Sequence, residues 1–314
     1  MNTNNPQSIS DATSLSSGEG RGEASQSISD ATSLSFGKSR GEALFIIKIG
    51  GNVIDNSEKL HEFLKAFADL KGKKILVHGG GKMATKLANE MHIEAKMVDG
   101  RRITDIETLR IVTMVYAGLI SKNLVAQLQM FGCNALGLSG ADGNLIKAKK
   151  RPVQKIKSKA NDTYQEIDFG FVGDLNEHSV ATDNLAKLIE AGFIPVFSAI
   201  THDGESQLLN TNADTVASAL AVAMSEHYQT SLIYCFEKKG VLVDIEDETS
   251  VIREINPAKY EDLKAKGIVA DGMLPKLHNA FDAINKGVSA VYIGKADDLN
   301  DLGMGMEFGT KLVR

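Results

Sequence analysis

The chain has 314 residues, of which 43% are hydrophobic and 24% charged, and its formal net charge is -5. This length allows one large α/β unit or two modest domains, and the composition excludes a mostly disordered chain, a collagen and a disulfide-stapled mini-protein. The mildly acidic charge balance gives no general electrostatic reason to bind nucleic acid or an anionic membrane.

Residues 1–43 carry a near-exact repeat and few large apolar side chains. Gln7–Ala24 and Gln26–Ala43 are related by a period of 19 residues and differ at three positions. Two Ser- and Gly-rich copies cannot bury a core, so this segment is interpreted as a disordered tail. The near identity of the copies also supports the hypothesis that this segment is translated from sequence upstream of the true start codon. The intact mass of the natively expressed protein tests this, and a mature chain beginning at Met1 would contradict it.

From Leu44 onward, short apolar runs alternate with helical patterns. The predicted strands are 44–49, 75–77, 135–138, 193–197, 232–236 and 290–293. The predicted helices are around 60–70, then 82–91, 107–131, 181–191, 214–224, 257–266 and 275–286. Such alternation favours parallel strand pairing and a sheet covered on both faces. We therefore expect an α/β fold, a three-layer αβα sandwich with a mainly parallel central sheet, with ligands at the carboxyl ends of the strands.

The first predicted strand ends in Lys48-Ile49-Gly50-Gly51. An unpaired ammonium among apolar residues is costly, so Lys48 should either point at a strong anion or reach solvent at the strand end. Gly50 and Gly51 allow the backbone to approach that anion and offer free N–H donors.

The second predicted strand is followed by residues 78–82 (HGGGK), which open a helix. Three glycines at a helix N-terminus form a backbone-amide cradle that suits phosphate, the alternative being an ordinary flexible turn. Gly79, Gly81 and Ala84 also satisfy the weak dinucleotide pattern, with Asp99 about 20 residues further on. A nicotinamide cofactor therefore remains a minor alternative.

Adjacent arginines precede the helix predicted at 107–131. Thr104 is the expected N-cap of that helix, with Glu107 as its capping-box partner. Arg102 could bind a carboxylate through two hydrogen bonds, or it could belong to a solvated basic turn.

Two further segments place polar side chains at helix starts. Residues 210–214 (NTNAD) open an Ala-rich helix, either as a simple cap or with Asn210 bonding a ligand and Asp214 holding lysines in place. In residues 272–276 (GMLPK), Lys276 lies in a first helical turn. A cation is unfavourable at that end of a helix unless an anion comes with it.

In this order, on an alternating α/β chain, the motifs KxGG, HGGGK, GxRxTD, NxNAD and GMxxK resemble the amino acid kinase family. Residues 136–140 (LGLSG) and 169–174 (FGFVGD) match further stretches of that family, and the resemblance runs from about Leu44 to Arg314. It implies two lobes, an acyl-glutamate-binding lobe at 44–225 and an ATP-binding lobe at 226–314. It also implies transfer of the γ-phosphoryl group of ATP, with Mg²⁺ bound to the ATP, onto the side-chain carboxylate of N-acetyl-L-glutamate in arginine biosynthesis.

The resemblance further implies a role for each motif residue. Lys48 and Lys276 would flank the phosphoryl group and Asp214 would orient both lysines, so these three are the expected catalytic residues. No metal ligand is expected from the protein, because ATP and water would supply the ligands of Mg²⁺. The expected phosphate-binding residues are Gly50 and Gly51, and the expected substrate-binding residues are Gly80, Gly81, Arg102 and Asn210.

Departures from the family pattern leave the acyl group open. Ala141 stands where many members have Lys, residues 236–242 (FEKKGVL) stand where a Thr/Ser-Asp-Val segment is usual, and Arg101 replaces a residue that is usually apolar. An added arginine near the acceptor pocket could suit a second carboxylate, which makes N-succinyl-L-glutamate an alternative substrate. The motifs also leave open a different amino acid kinase, such as a glutamate 5-kinase or an aspartokinase, a non-catalytic sensor and a dinucleotide-binding oxidoreductase.

The sequence also bears on partners and location. Cys133 and Cys235 fit no metal or redox spacing and favour a reducing compartment. No apolar run approaches the roughly 20 residues of a membrane-spanning helix, and no secretory signal is present at the N-terminus. We expect a cytoplasmic protein with small-molecule substrates and no nucleic-acid or membrane partner. Arginine-inhibited relatives carry an amphipathic N-terminal helix that 1–43 lacks, so we expect an arginine-insensitive homodimer.

Overall fold

The computed structural model describes residues 41–98, 100–157, 163–268 and 273–314, apart from the side chain of Pro275. Most of the repeat-containing tail (residues 1–40), the acidic residue of the dinucleotide pattern (Asp99) and the glycine of the GMLPK motif (Gly272) lie outside these ranges. The interpretation of the tail therefore stays a prediction.

Strands and helices alternate along the described ranges. The strands are β1 (Ala43–Ile49), β2 (Lys73–His78), β3 (Met97–Val98), β4 (Arg101–Arg102), β5 (Ala135–Leu138), β6 (Lys149–Lys150), β7 (Gln154–Lys157), β8 (Tyr164–Ile167), β9 (Gly173–Asp174), β10 (Ile194–Ser198), β11 (Ile200–His202), β12 (Leu208–Asn210), β13 (Gln229–Phe236), β14 (Glu254–Ile255), β15 (Ala290–Lys295) and β16 (Thr310–Leu312). The α-helices are α1 (Gly51–Ile54), α2 (Ser57–Asp69), α3 (Gly81–Glu90), α4 (Ile106–Thr113), α5 (Ser121–Met130), α6 (Thr182–Glu190), α7 (Ala213–Met224), α8 (Pro257–Ala265), α9 (Leu274–Asn285) and α10 (Leu299–Gly303).

One eight-stranded sheet forms the centre of the fold, in the order β14-β16-β15-β13-β1-β2-β10-β5. Neighbouring strands are parallel except for the β15–β16 pair. The predicted mainly parallel α/β sheet is therefore confirmed. The strands from residues 43–225 and those from residues 226–314 occupy opposite halves of the sheet and meet at the β1–β13 pair. The division into two lobes at this boundary stays a prediction.

Helices cover both faces of the sheet because successive residues of each strand point to opposite faces. In β1, Leu44 and Ile46 pack in the cluster that includes α6, α7 and α9. Ile47 and Ile49 pack in the cluster that includes α2 and α5. Lys48 continues the alternation of Leu44 and Ile46, so its side chain extends on the same face as α7.

The predicted helix at 107–131 is a composite. A π-helical stretch, Met114–Ile120, joins α4 to α5. The expectation that no apolar run approaches the length of a membrane span is wrong for this run: of the described helices, Ile106–Met130 alone has that length and apolar composition, and 44% of its most apolar window is buried inside the fold. Its buried side chains, which include Val112 and Leu124, pack in the same cluster as Ile47 and Ile49 of β1, as is typical of a core helix.

The predicted N-cap of α4 is wrong. Asp105 caps the helix instead, because its Oδ1 accepts a hydrogen bond from the Thr108 backbone N–H at 2.8 Å. This bond favours the ionised carboxylate and lowers the pKa of Asp105. Thr104 is fully buried, and its backbone pairs with Phe169 and Phe171 at 2.9 Å and 2.7 Å. The arginines before it lie in the short hairpin β3–β4, not in an open turn.

Candidate active site

Glycine-rich turns follow the central strands β1 and β2. Gly50 precedes α1 and Gly80 precedes α3, and neither helix start has a side-chain cap or an acidic residue in its first turn. The first N–H groups of a helix have no partner within the helix. The start of α3 and the Gly50-Gly51 turn therefore present uncapped N–H donors on the same edge of the sheet, which suits an anion.

The turn before α3 packs closely against the π-helical stretch. A Cβ atom at Gly80 would lie 2.9 Å from Cδ1 of Tyr116, so only glycine fits this approach. His78, which begins the turn, is fully buried and donates from Nδ1 to the Gly79 carbonyl at 2.9 Å. Burial lowers the pKa of His78 to about 4, so at neutral pH its imidazole is uncharged and adds no positive charge to the turn.

Lys48 and Asp214 form an ion pair across the end of β1 and the start of α7. Nζ of Lys48 lies 2.7 Å from Oδ1 of Asp214, and their side chains are 12% and 30% exposed. The N-cap of α7 is Asn212, which accepts hydrogen bonds from the backbone N–H groups of Asp214 and Thr215. Since Asn212 provides the cap, the Asp214 carboxylate is left to pair with Lys48.

Lys276 lies in the first turn of α9, as predicted. Its Nζ is 3.9 Å from the ring centroid of Phe236, and among the described residues it has no ion-pair partner. Burial lowers the pKa of Lys276, Asp214 opposes this shift and Lys48 adds to it. The structure thus places a second ammonium, without a carboxylate of its own, near the Lys48–Asp214 pair.

Two clefts meet beside Lys276. The first, called the Arg102 cleft, has a volume of about 570 Å³, and the second, called the Phe236 cleft, has a volume of about 430 Å³. The predicted residues that line the Arg102 cleft are Lys48, Gly51, Gly80, Gly81, Arg102, Asn210, Asp214 and Lys276. The predicted residues that line the Phe236 cleft are Gly50, Gly51, Gly81 and Lys276. All nine predicted site residues are therefore brought together, and Gly51, Gly81 and Lys276 line both clefts.

The polar side chains of the Arg102 cleft are held in place by neighbours. Nη2 of Arg102 donates to the Gly81 carbonyl at 3.1 Å and to Oγ1 of Thr85 at 2.7 Å. Nδ2 of Asn210 donates to Oγ1 of Thr104 at 3.0 Å. Arg102 has no carboxylate partner within the ranges that the structure describes, so this cation is available to an anionic ligand.

Sequence reasoning missed Arg151, which also lines the Arg102 cleft. It donates from Nε and Nη2 to Oδ1 of Asp174, at 3.0 Å and 2.6 Å, and its guanidinium lies 5.3 Å from the centroid of the Phe169 ring. The available signal was Asp174, which ends the 169–174 motif and offers a carboxylate to a cation. The irregular chain around Arg151 gave no signal.

Three polar residues of the Phe236 cleft were also missed. Asn52 donates to Oε1 of Glu237 and accepts from Nζ of Lys82, and all three line the cleft. Lys82 could have been found by the argument used for Lys276, since it too is a cation in a first helical turn.

Neither thiol forms a disulfide, and Cys133 and Cys235 are both buried. Burial raises the pKa of Cys235 to about 12, so its thiol is protonated at neutral pH and is not a nucleophile. Within the described ranges, no group of three or more His, Cys, Asp or Glu side chains is arranged to hold a metal ion.

A mainly parallel αβα sheet with cations and glycine-rich turns at its strand ends defines a phosphate-handling α/β protein. The chain belongs to the amino acid kinase family, whose sequence model matches residues 43–295. The predicted family and fold are thus confirmed, and the dinucleotide-binding alternative is left without support.

Individual relatives agree with this membership. The acetylglutamate kinase of Cytophaga hutchinsonii is 55% identical over 271 residues, which cover 86% of this chain and 98% of that protein. The acetylglutamate kinase of Bacteroides thetaiotaomicron is 50% identical over 258 residues, or 82% and 95% of the two chains. The crystal structure of smu.665 from Streptococcus mutans superposes with a TM-score of 0.63 at 25% identity, covering 86% of this chain and 98% of that one.

Proposed function

We propose that this chain transfers the γ-phosphoryl group of ATP to the side-chain carboxylate of N-acetyl-L-glutamate, a step of arginine biosynthesis. The observation that carries the proposal is that Lys276 lies where two clefts meet and close to the Lys48–Asp214 ion pair, which lines one of them. The 55% and 50% identical relatives, both named acetylglutamate kinase, support the choice of substrate.

Each cleft takes one substrate. The Arg102 cleft binds the acyl-glutamate, since Arg102 supplies a cation for its α-carboxylate and Asn210 supplies a hydrogen-bonding amide. The Phe236 cleft binds ATP, since the Gly50-Gly51 turn supplies backbone N–H donors for phosphate. On this assignment residues 44–225 provide the acceptor side and residues 226–314 much of the nucleotide side. The transferred group passes between the clefts beside Gly81.

The reaction joins two anions, so its main requirement is positive charge and alignment. A side-chain carboxylate oxygen of the acceptor attacks the γ-phosphorus, and the bond from that phosphorus to the bridging oxygen of ADP breaks. Lys48 and Lys276 offset the charge on the transferred oxygens, and Asp214 holds Lys48 in place. No proton transfer and no covalent enzyme intermediate are needed to balance this step.

ATP would carry Mg²⁺, and its phosphates and water would provide most of the ligands of the ion. The donor set of the Phe236 cleft fits this arrangement, because it offers glycine amides and lysines to phosphate and a single carboxylate, Glu237. When bound, the ion neutralises part of the phosphate charge.

ADP release tests the proposal, with N-acetyl-L-glutamate, N-succinyl-L-glutamate, glutamate and aspartate offered in parallel with MgATP. We expect turnover with an acyl-glutamate and little with the free amino acids. Failure with both acyl-glutamates would overturn the proposal, and turnover with glutamate or aspartate alone would identify a different amino acid kinase.

N-succinyl-L-glutamate is a second candidate acceptor, favoured by Arg101. This exposed side chain lines the Arg102 cleft and has no ion-pair partner among the described residues. We expect Arg101→Leu to lower kcat/KM for N-succinyl-L-glutamate about 10-fold, the scale of one charge-assisted hydrogen bond. The kcat/KM for N-acetyl-L-glutamate should change less than about twofold. Initial rates with both acceptors measure this, and an equal fall for both would reject a role in acyl selection.

We further propose a cytoplasmic homodimer that arginine does not inhibit. The composite helix 106–130 exposes large apolar side chains, among them Ile106, Met114 and Leu119, and association with a second copy of the chain would remove such side chains from water. We expect light scattering to give the mass of two chains, with and without arginine. A hexameric mass together with inhibition by arginine would refute this.

A further inference from the structure

We infer that Phe236 is a positioning residue, whose ring holds the ammonium groups of Lys276 and Lys48 in place for phosphoryl transfer. The inference rests on the proposed function, in which these two lysines contact the transferred group. It assigns to an aromatic side chain a task that carboxylates usually perform in proteins, namely to hold cations close together.

The geometry places both cations over one ring. Nζ of Lys276 is 3.9 Å and Nζ of Lys48 is 5.4 Å from the centroid of Phe236, within the range of about 6 Å at which a ring attracts a cation. Tyr234 stacks on Phe236 at 6.1 Å and 20°. Since Lys48 is paired in register with Tyr234 on the neighbouring strand, Lys48, Tyr234 and Phe236 lie on the same face of the sheet.

An aromatic ring suits this position for an electrostatic reason. Two ammonium groups repel one another, and among the described residues Asp214 forms an ion pair with Lys48 and none with Lys276. A second carboxylate next to Lys276 would neutralise it and repel phosphate. A ring face attracts the cation without adding net charge, so the charge of Lys276 stays available to the transferred group.

The charged groups around Lys276 determine the sign of the expected pH effect. Asp214 from α7 favours the charged ammonium and Lys48 from β1 disfavours it. Glu237 and Lys238, which follow β13, and Lys82 from α3 line the same cleft. Because the ring also stabilises the charged form, its removal should lower the pKa of Lys276 and move the loss of activity at high pH to a lower pH.

Substitutions of Phe236 test the inference. Phe236→Leu and Phe236→Met keep an apolar side chain but remove the ring, whereas Phe236→Tyr retains a ring. Phe281→Leu is the matched control, since Phe281 lies on α9 with Lys276 but packs against Tyr260. Circular dichroism checks that each variant folds, and the Met variant, whose flexible unbranched side chain adapts to irregular gaps, serves in case the Leu variant does not.

Two measurements are compared. Steady-state kinetics should show kcat about 10-fold lower for the Leu and Met variants, little change in either KM, and recovery in the Tyr variant. The reaction of Lys276 with trinitrobenzenesulfonate, followed against pH by peptide mass spectrometry without substrates, should show its titration about one pH unit lower in the ring-less variants.

The second measurement does not depend on activity. An unchanged Lys276 titration in the ring-less variants, or a fall in kcat no greater than that of Phe281→Leu, would overturn the inference. A wild-type protein without kinase activity would overturn the proposed function instead, and the titration would still show whether the ring holds Lys276.

Discussion

Replacing Lys48 with methionine should lower kcat on the order of 10²-fold or more, the scale of one preorganised group that stabilises developing charge. Methionine keeps the apolar stem of the side chain within β1 but removes the ammonium that lies 2.7 Å from Asp214. The loss should fall mainly on kcat, because this cation is most needed when charge spreads over the transferred phosphoryl group. Initial rates of ADP release at saturating MgATP and N-acetyl-L-glutamate measure it.

Lys73→Met is the matched control for this experiment. Lys73 begins the neighbouring strand β2 and forms an ion pair with Glu190 at 2.9 Å, at the opposite end of the sheet from the clefts. Its removal should leave kcat unchanged. If Lys48→Met changes kcat by less than a few-fold while the protein stays folded, Lys48 does not take part in the transfer.

Replacing Arg102 with alanine should raise KM for N-acetyl-L-glutamate about 10- to 100-fold and lower kcat much less. A hydrogen bond to a charged group contributes about 1.5–3 kcal/mol, and the guanidinium would bind the α-carboxylate equally well before and during transfer. KM for ATP should change little. Steady-state kinetics with each substrate varied in turn separate these effects.

The contacts of Arg102 with the protein need their own controls. Because Nη2 of Arg102 also bonds Thr85, Thr85→Ala shows how much of any loss comes from that contact alone. Arg102→Lys retains the positive charge but lacks the planar guanidinium, and it should give a KM between those of the wild type and Arg102→Ala. Arg253→Ala, which removes an exposed arginine paired with Glu307, should have no effect. An effect of Arg102→Ala on kcat alone would argue against a carboxylate-binding role.

The sequence carried enough signal to predict the large elements of the fold. The strand predicted at 135–138 coincides with β5, and the strand at 44–49 differs from β1 by one residue. Apolar periodicity reflects burial, and the buried residues of these strands include four of the seven in β1 and both ends of β5. The hairpin β3–β4 was missed because strands of two residues each show no periodicity. The wrong N-cap prediction at Thr104 has a similar origin. Thr104 is buried because it pairs with residues around Gly170, which are distant in sequence.

The candidate site was predictable wherever a residue type was unfavourable in its local setting. Lysines within an apolar strand or in a first helical turn, such as Lys48 and Lys276, are costly without a partner, and consecutive glycines exceed the needs of a turn. Arg151 and Phe236 give no such signal. The first depends on an acidic partner 23 residues away in sequence, and the second resembles the last apolar residue of a core strand.

The pairing of the two central strands has a consequence for the distances within the site. Lys48 lies near the end of β1 and Phe236 ends β13, and the register from Ala43↔Gln229 to Ile49↔Cys235 aligns them. A slip of one residue along this pair would turn the ammonium of Lys48 to the opposite face, among the apolar side chains of α2 and α5. The backbone hydrogen bonds that join the two halves of the sheet therefore also fix how far the ammonium lies from the aromatic ring.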